Sequence, residues 1–174
     1  DYRYAGYATI AEIDPSIEKR IEGIGSDSSH FTRWACFINS YGRVIEDQAL
    51  YTKLKTGLAN TMCQLIFEKT EESDGYYVLR NYMDGTNGVY RYNEEKGSGY
   101  DAYQLSTTFL NGWWSMLEDE RITEIYRDTY DKLRYETELP PAYVDPLTTR
   151  ERNPLYTSIE NYQMLTYIAS LGLY

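Results

Sequence analysis

Asp101 stands where a polar, glycine-marked loop gives way to an apolar pattern. Tyr100 and Tyr103 flank it, and Tyr90, Arg91 and Tyr92 lie a few residues earlier. A carboxylate among aromatic side chains suits one chemistry in particular. Ionised, it can draw a proton from a water that attacks a glycosidic carbon, while the tyrosines and Arg91 hold the sugar. Inverting hydrolysis needs a second, protonated carboxyl group roughly 6.5–9.5 Å from the first. Glu94 and Glu95 in the same loop, Glu160 near the C-terminus, or a partner outside this chain would have to supply it. The plainer alternative is a helix-start carboxylate that accepts free N–H groups, with the tyrosines packing elements against one another.

These residues must be positioned by what surrounds them. Leu105, Phe109, Leu110, Trp113, Met116 and Leu117 fall at helical spacing, which predicts a helix over 101–117 with one tryptophan of Trp113-Trp114 in the core and the other in a seam. Asp84-Gly85 and Asn87-Gly88 before it are turn pairs. A second helix over 119–135, carrying Ile122, Ile125, Tyr126, Tyr130 and Leu133, completes a hairpin. Upstream, Phe31, Trp34, Ala35, Ile38, Tyr41 and Ile45 predict a helix over 29–46, and Leu50, Leu54, Leu58, Met62 and Leu65 another over 48–68. The joint at Glu46-Asp47 is so short that the pair must be antiparallel neighbours. Pro15, with Asp14 as cap, opens a short helix carrying Ile17, Ile21 and Ile24. Residues 76–80 read as a short strand, and Asn153-Pro154 cap a last helix after an irregular proline-bearing stretch at 136–153. The fold class expected is all-α: antiparallel helical hairpins with long loops and at most short strands, in one domain over 1–174.

Composition narrows the partners. With 174 residues, 42% of them hydrophobic and 16% aromatic, the chain can bury roughly two-thirds of its unfolded surface and is far too apolar for disorder. Twenty tyrosines suit packing seams and sugar-facing grooves equally. A net charge of −10 without any run of basic residues excludes a nucleic-acid face, and it favours neutral or cationic sugars over uronic polymers. No apolar run reaches the roughly 18 residues of a membrane span. Cys36 and Cys63 fall out of step in the predicted hairpin, a poor disulfide geometry, and are expected as free buried thiols. His30, the only histidine, reads as a capping or surface residue beside Ser28 and Ser29. One histidine and two cysteines are too few for a zinc site, so neither metal nor cofactor is expected. The chain opens on an aspartate in mid-pattern, so its start reads as processed or cut.

The segment GSGYDAYQLSTTFLNGWWSML, residues 97–117, resembles that part of glycoside hydrolase family 8 in which a Tyr-Asp-Ala tripeptide opens a helix lining the sugar cleft. The C-terminal NPLYTSIENYQMLTYIASLGLY is similar to the final helix of such proteins, so the likeness covers about the last 90 residues. The resemblance implies an α/α toroid, of which this chain would be the C-terminal portion. It gives Asp101, between Tyr100 and Ala102, the role of general base. Beside it, the aromatic-rich loop residues Tyr90, Arg91, Tyr92, Tyr100 and Tyr103 are expected to bind the sugar. Gln104, Leu105 and Ser106 stand where the family carries an arginine, and nothing before residue 84 matches the segment holding its general acid. The expected function is therefore an inverting polysaccharide-processing hydrolase, extracellular or cell-surface. It would be completed by its own N-terminal half or by a second copy. The alternative is a non-catalytic helical module that binds glycan or a protein partner.

Overall fold

In the computed structural model, which describes residues 2–146 and 158–173, helices alternate with two small antiparallel sheets. The order is α1 (Ser28–Phe31), α2 (Arg33–Gly42), α3 (Gln48–Thr61), β1 (Phe67–Lys69), β2 (Tyr77–Leu79), β3 (Tyr90–Asn93), β4 (Ser98–Tyr100), α4 (Glu120–Leu133) and α5 (Ile159–Ser170). β1 pairs with β2 and β3 with β4. This overturns the all-α toroid expected from the hairpin pattern.

Where aspartate caps a clean apolar stripe, the expected helix forms. Asp47 accepts from Leu50 N at 2.9 Å to start α3, and Asp119 accepts from Arg121 N at 3.0 Å to start α4. On α4, Ile122, Ile125, Tyr126, Thr129 and Leu133 are buried. Its partner is α5, joined through a Tyr130–Tyr167 ring contact at 5.1 Å and through Gln163 Nε2, which donates to the helix-terminal carbonyl of Leu133 at 2.9 Å. The start expected for that last helix, Asn153-Pro154, lies outside the described residues.

The helix expected over 101–117 does not form. Residues 101–105 are turns, and two 3₁₀ segments follow, Ser106–Asn111 and Trp113–Leu117, separated by Gly112 at φ 79°. The cause is the hydroxyls. Thr108 Oγ1 donates to Leu105 O and Ser115 Oγ to Gly112 O, both at 2.7 Å, while Ser106 Oγ donates to Tyr103 O. Each returns to the carbonyl three residues back and tightens the turn. The helix expected to reach residue 68 stops at Thr61, passes through one π-type turn at Met62–Ile66 and becomes β1, whose Phe67 pairs opposite Leu79. The helix expected after Pro15 is irregular chain with Ile17 and Ile21 exposed. The first hairpin exists, with α2 packed on α3. Only Ala35, Ile38 and Asn39 of α2 are buried, however, while Trp34 and Tyr41 face outward.

The core falls into a large and a small part. The large one gathers Ile38, Ala59, Met62, Phe109, Trp114, Tyr126 and Tyr162 from the helices and 3₁₀ segments. The small one is built of tyrosines around β3 and β4: Tyr82 and Tyr90 in one cluster, Tyr4 and Tyr7 in another. The N-terminal chain lies across this second part, Tyr7 O accepting from Val89 N and Ala8 O from Ala102 N, both at 2.8 Å. Gly88 permits that approach, since a Cβ there would stand 1.8 Å from Ala5 O. Gly57, exposed within α3, has nothing within 4 Å of such an atom. Gly57→Ala should therefore raise stability by about 0.5–1 kcal/mol through helix propensity. Gly88→Ala should lower it by about 1–3 kcal/mol through backbone displacement. Urea unfolding of both variants checks the pair, and changes of the same sign would contradict the packing described.

Candidate functional site

Asp27 ends an extended stretch and caps α1, and it is 7% exposed. Its Oδ1 accepts from Ser29 Oγ at 2.6 Å, His30 N at 2.9 Å and His30 Nδ1 at 2.8 Å. Its Oδ2 accepts from Tyr90 Oη at 3.1 Å, across 63 residues of sequence. A carboxylate only accepts, so the proton on this side of His30 is on Nδ1, and the other ring nitrogen, Nε2, lies 3.4 Å from Arg91 Nη2. Burial pushes the Asp27 carboxyl up, but the bonds from Ser29 and His30 outweigh it and hold the group below the ordinary aspartate range. Burial and the neighbouring Asp27 carboxylate push the Tyr90 phenol up to about 12, so it stays a donor.

Above this cluster opens a cavity of about 340 Å³, at the small end of ligand pockets, which run to about 1,000 Å³. Tyr90, Tyr100 and Trp113 give it aromatic wall, with the Tyr90 and Tyr100 rings 6.1 Å apart. Arg33, Arg91, His30 and Asn111 give it planar polar edges, and Asp145 a carboxyl group. Thr32 also lines it, 3% exposed, and its buried Oγ1 has no hydrogen-bond partner among the described residues. Such a hydroxyl is uncommon in a native fold.

Arg91 is held in place by strained backbone. β3 opposes β4 with Tyr90 facing Tyr100 and Asn93 facing Ser98, so β3 carries one residue too many and bulges. Arg91 sits in that bulge at φ 52°, a conformation that favours glycine. The bulge sets the guanidinium 5.2 Å over the Tyr90 ring and beside His30.

The residues predicted from sequence divide between this cavity and elsewhere. Tyr90, Arg91 and Tyr100 line it. Tyr92 packs edge-to-face on Tyr4 at 5.0 Å, and Tyr103 donates to Glu68 Oε2 at 2.9 Å, beside a different pocket. Asp101 is not among the residues lining the cavity. Its Oδ1 accepts from Ile10 N at 2.5 Å, its N–H donates to Gln104, and its carbonyl accepts from Asn81 Nδ2 at 2.8 Å. Among the carboxylates considered as its acid, Glu94 accepts from Tyr4 Oη at 2.8 Å and pairs with Arg3 at 2.9 Å, Glu95 is exposed, and Glu160 accepts from Ser158 Oγ. Asp27, His30, Arg33, Asn111, Trp113 and Asp145 were not read as site residues. The one local signal was an aspartate three residues before the single histidine at a helix start.

No family model, curated protein or solved structure matches the chain. The likeness to a glycoside hydrolase family thus rests on the short segments that carry it. Among the described residues, no helix is long and apolar enough to cross a membrane, and no group of three or more His, Cys, Asp or Glu side chains could hold a metal ion. Cys36 and Cys63 are free, half-buried thiols, both pushed up by burial.

Because the Asp27 carboxyl is held below its unfolded value of about 3.9, its contribution is complete above that pH and is lost as pH falls through the lower folded value. Asp27→Asn should cost roughly 1–3 kcal/mol at neutral pH, with the gap to wild type closing in strong acid. Asp119, lowered mainly by its bond from Arg121, titrates in the same direction in both proteins and cancels in the difference. Denaturant unfolding from pH 7 to pH 2 measures that difference, and a pH-independent gap would contradict the assignment.

Proposed function

We propose that the chain is a non-catalytic glycan-binding module whose sugar occupies the cavity over Asp27 and His30. The observation that carries this reading is the pairing of surfaces around about 340 Å³. Aromatic groups from Tyr90, Tyr100 and Trp113 lie on the same cavity as planar hydrogen-bonding groups from Arg33, Arg91 and Asn111. A sugar ring presents apolar C–H faces and a belt of hydroxyls. Aromatic faces bury the first, and planar amide and guanidinium edges bind the second.

Hydrolysis with Asp101 as general base draws less support. An inverting base must reach a water beside the scissile bond, whereas the Asp101 carboxylate is engaged by the Ile10 N–H and lies off the cavity wall. Its work is to pin the turn at Ile10–Glu12 against the end of β4.

Binding to a panel of neutral and acidic oligosaccharides, followed by calorimetry, tests the reading. Trp113→Ala should weaken binding by roughly tenfold or more, in the range typical of a buried aromatic anchor. Asp101→Asn should leave affinity within about twofold if the fold is intact. Reducing-sugar release abolished by Asp101→Asn would overturn the non-catalytic reading, and binding indifferent to Trp113 would move the site elsewhere.

A further inference from the structure

Most of the described arginines are neutralised. Arg3, Arg20, Arg80, Arg121, Arg127 and Arg134 each form an ion pair with a carboxylate. Among the described residues Arg33, Arg43 and Arg91 form none, and two of these three, Arg33 and Arg91, line the same cavity. In a chain of net charge −10, carboxylates to pair them with are plentiful. The one carboxylate on the described lining is Asp145, and the nearby Asp27 is occupied by Ser29, His30 and Tyr90. The cavity therefore carries two guanidinium charges against one carboxylate. Arg91 is moreover kept at φ 52° in a bulge where glycine would relax, and strain of that kind gathers at ligand-binding positions.

We infer that the ligand of this cavity is a sugar carrying a carboxylate, a uronate, whose anionic group is gripped by Arg33 and Arg91. The inference rests on the glycan-binding reading and names its substrate class. A guanidinium presents two parallel N–H donors that match the two oxygens of a planar carboxylate. The expectation that an acidic chain rejects uronic polymers treats the charge as uniform. At physiological ionic strength charges are screened beyond about 8 Å, so the local pair decides binding at the cavity. The two arginines stand 58 positions apart in the chain, and no run of basic residues announces them.

Calorimetry on the intact chain compares tetragalacturonate with its fully methyl-esterified counterpart, which keeps the sugar and removes the charge. The acid should bind roughly tenfold tighter or better. Arg33→Gln and Arg91→Gln should each cut that preference to within about threefold, the acid losing several-fold more affinity than the ester. Arg91→Gly, which also relieves the strained φ, should lose the preference while keeping or raising the melting temperature, so that loss of fold cannot explain the result. Equal affinity for acid and ester would overturn the inference and leave the glycan-binding reading standing. A sulfated carrageenan tetrasaccharide bound tighter than the uronate would overturn the carboxylate assignment. Binding of citrate to the arginine pair with no binding of either sugar would overturn the glycan reading. Binding of neither citrate nor sugar would overturn both.

Discussion

The buried carboxylate of Asp27 joins the two parts of this molecule. Its Oδ1 holds the start of α1 through Ser29 and His30, and its Oδ2 receives the Tyr90 hydroxyl from β3, in the tyrosine-built part. The backbone on either side of it is laced to the same region, with Met83 N donating to Ser26 O and Ser28 N to Asn81 O, both at 2.8 Å. A charge so nearly out of water is stable only when its lone pairs are filled. Four donors fill them here, two from the one histidine. That histidine is thereby fixed in direction, and the cavity wall above it is fixed as well.

Much of the backbone around the cavity is irregular. Arg91 lies in a bulge, Trp113 follows the left-handed Gly112, and Thr108 and Asn111 belong to a 3₁₀ segment held by its own hydroxyls. Regular helix would send these side chains round at 100° intervals, with no run of them along one cavity edge. The scaffold beneath is conventional. α4 and α5 pack against each other, and Phe109 stacks on Tyr126 at 4.5 Å, so the irregular segment rests on a firm base. Binding groups on loops over a rigid body are a common division of labour.

Regular elements could be read from the chain and contacts between distant segments could not. α3 and α4 announce themselves by an aspartate cap and a 3–4 apolar stripe, because both signals are local. Residues 101–117 carry an equally good stripe, yet Ser106, Thr108 and Ser115 draw the carbonyls into tighter turns and Gly112 breaks the run. Of the stripe, Leu105, Phe109, Leu110 and Leu117 are interior while Trp113 and Met116 are half-buried, so it recorded burial at most positions but not helicity. Tyr90, Arg91 and Tyr100 were singled out as neighbours of Asp101. They line instead one cavity, where Tyr90 bonds Asp27, a carboxylate more than sixty residues upstream that the pairing of residues 26–28 with 81–83 brings near. Asp101 looked catalytic for the same features that make it a good pin: a short acidic side chain at a turn, close to free N–H groups.

The bond between Asp27 and Tyr90 is the link on which the rest depends, and a double-mutant cycle isolates it. Stability measured by urea unfolding for wild type, Asp27→Asn, Tyr90→Phe and the double variant should give a coupling of roughly 1 kcal/mol or more, as expected for a buried bond to a charged acceptor. Strictly additive losses would mean that the carboxylate does not hold the two parts together, and the account of the cavity would fall with it.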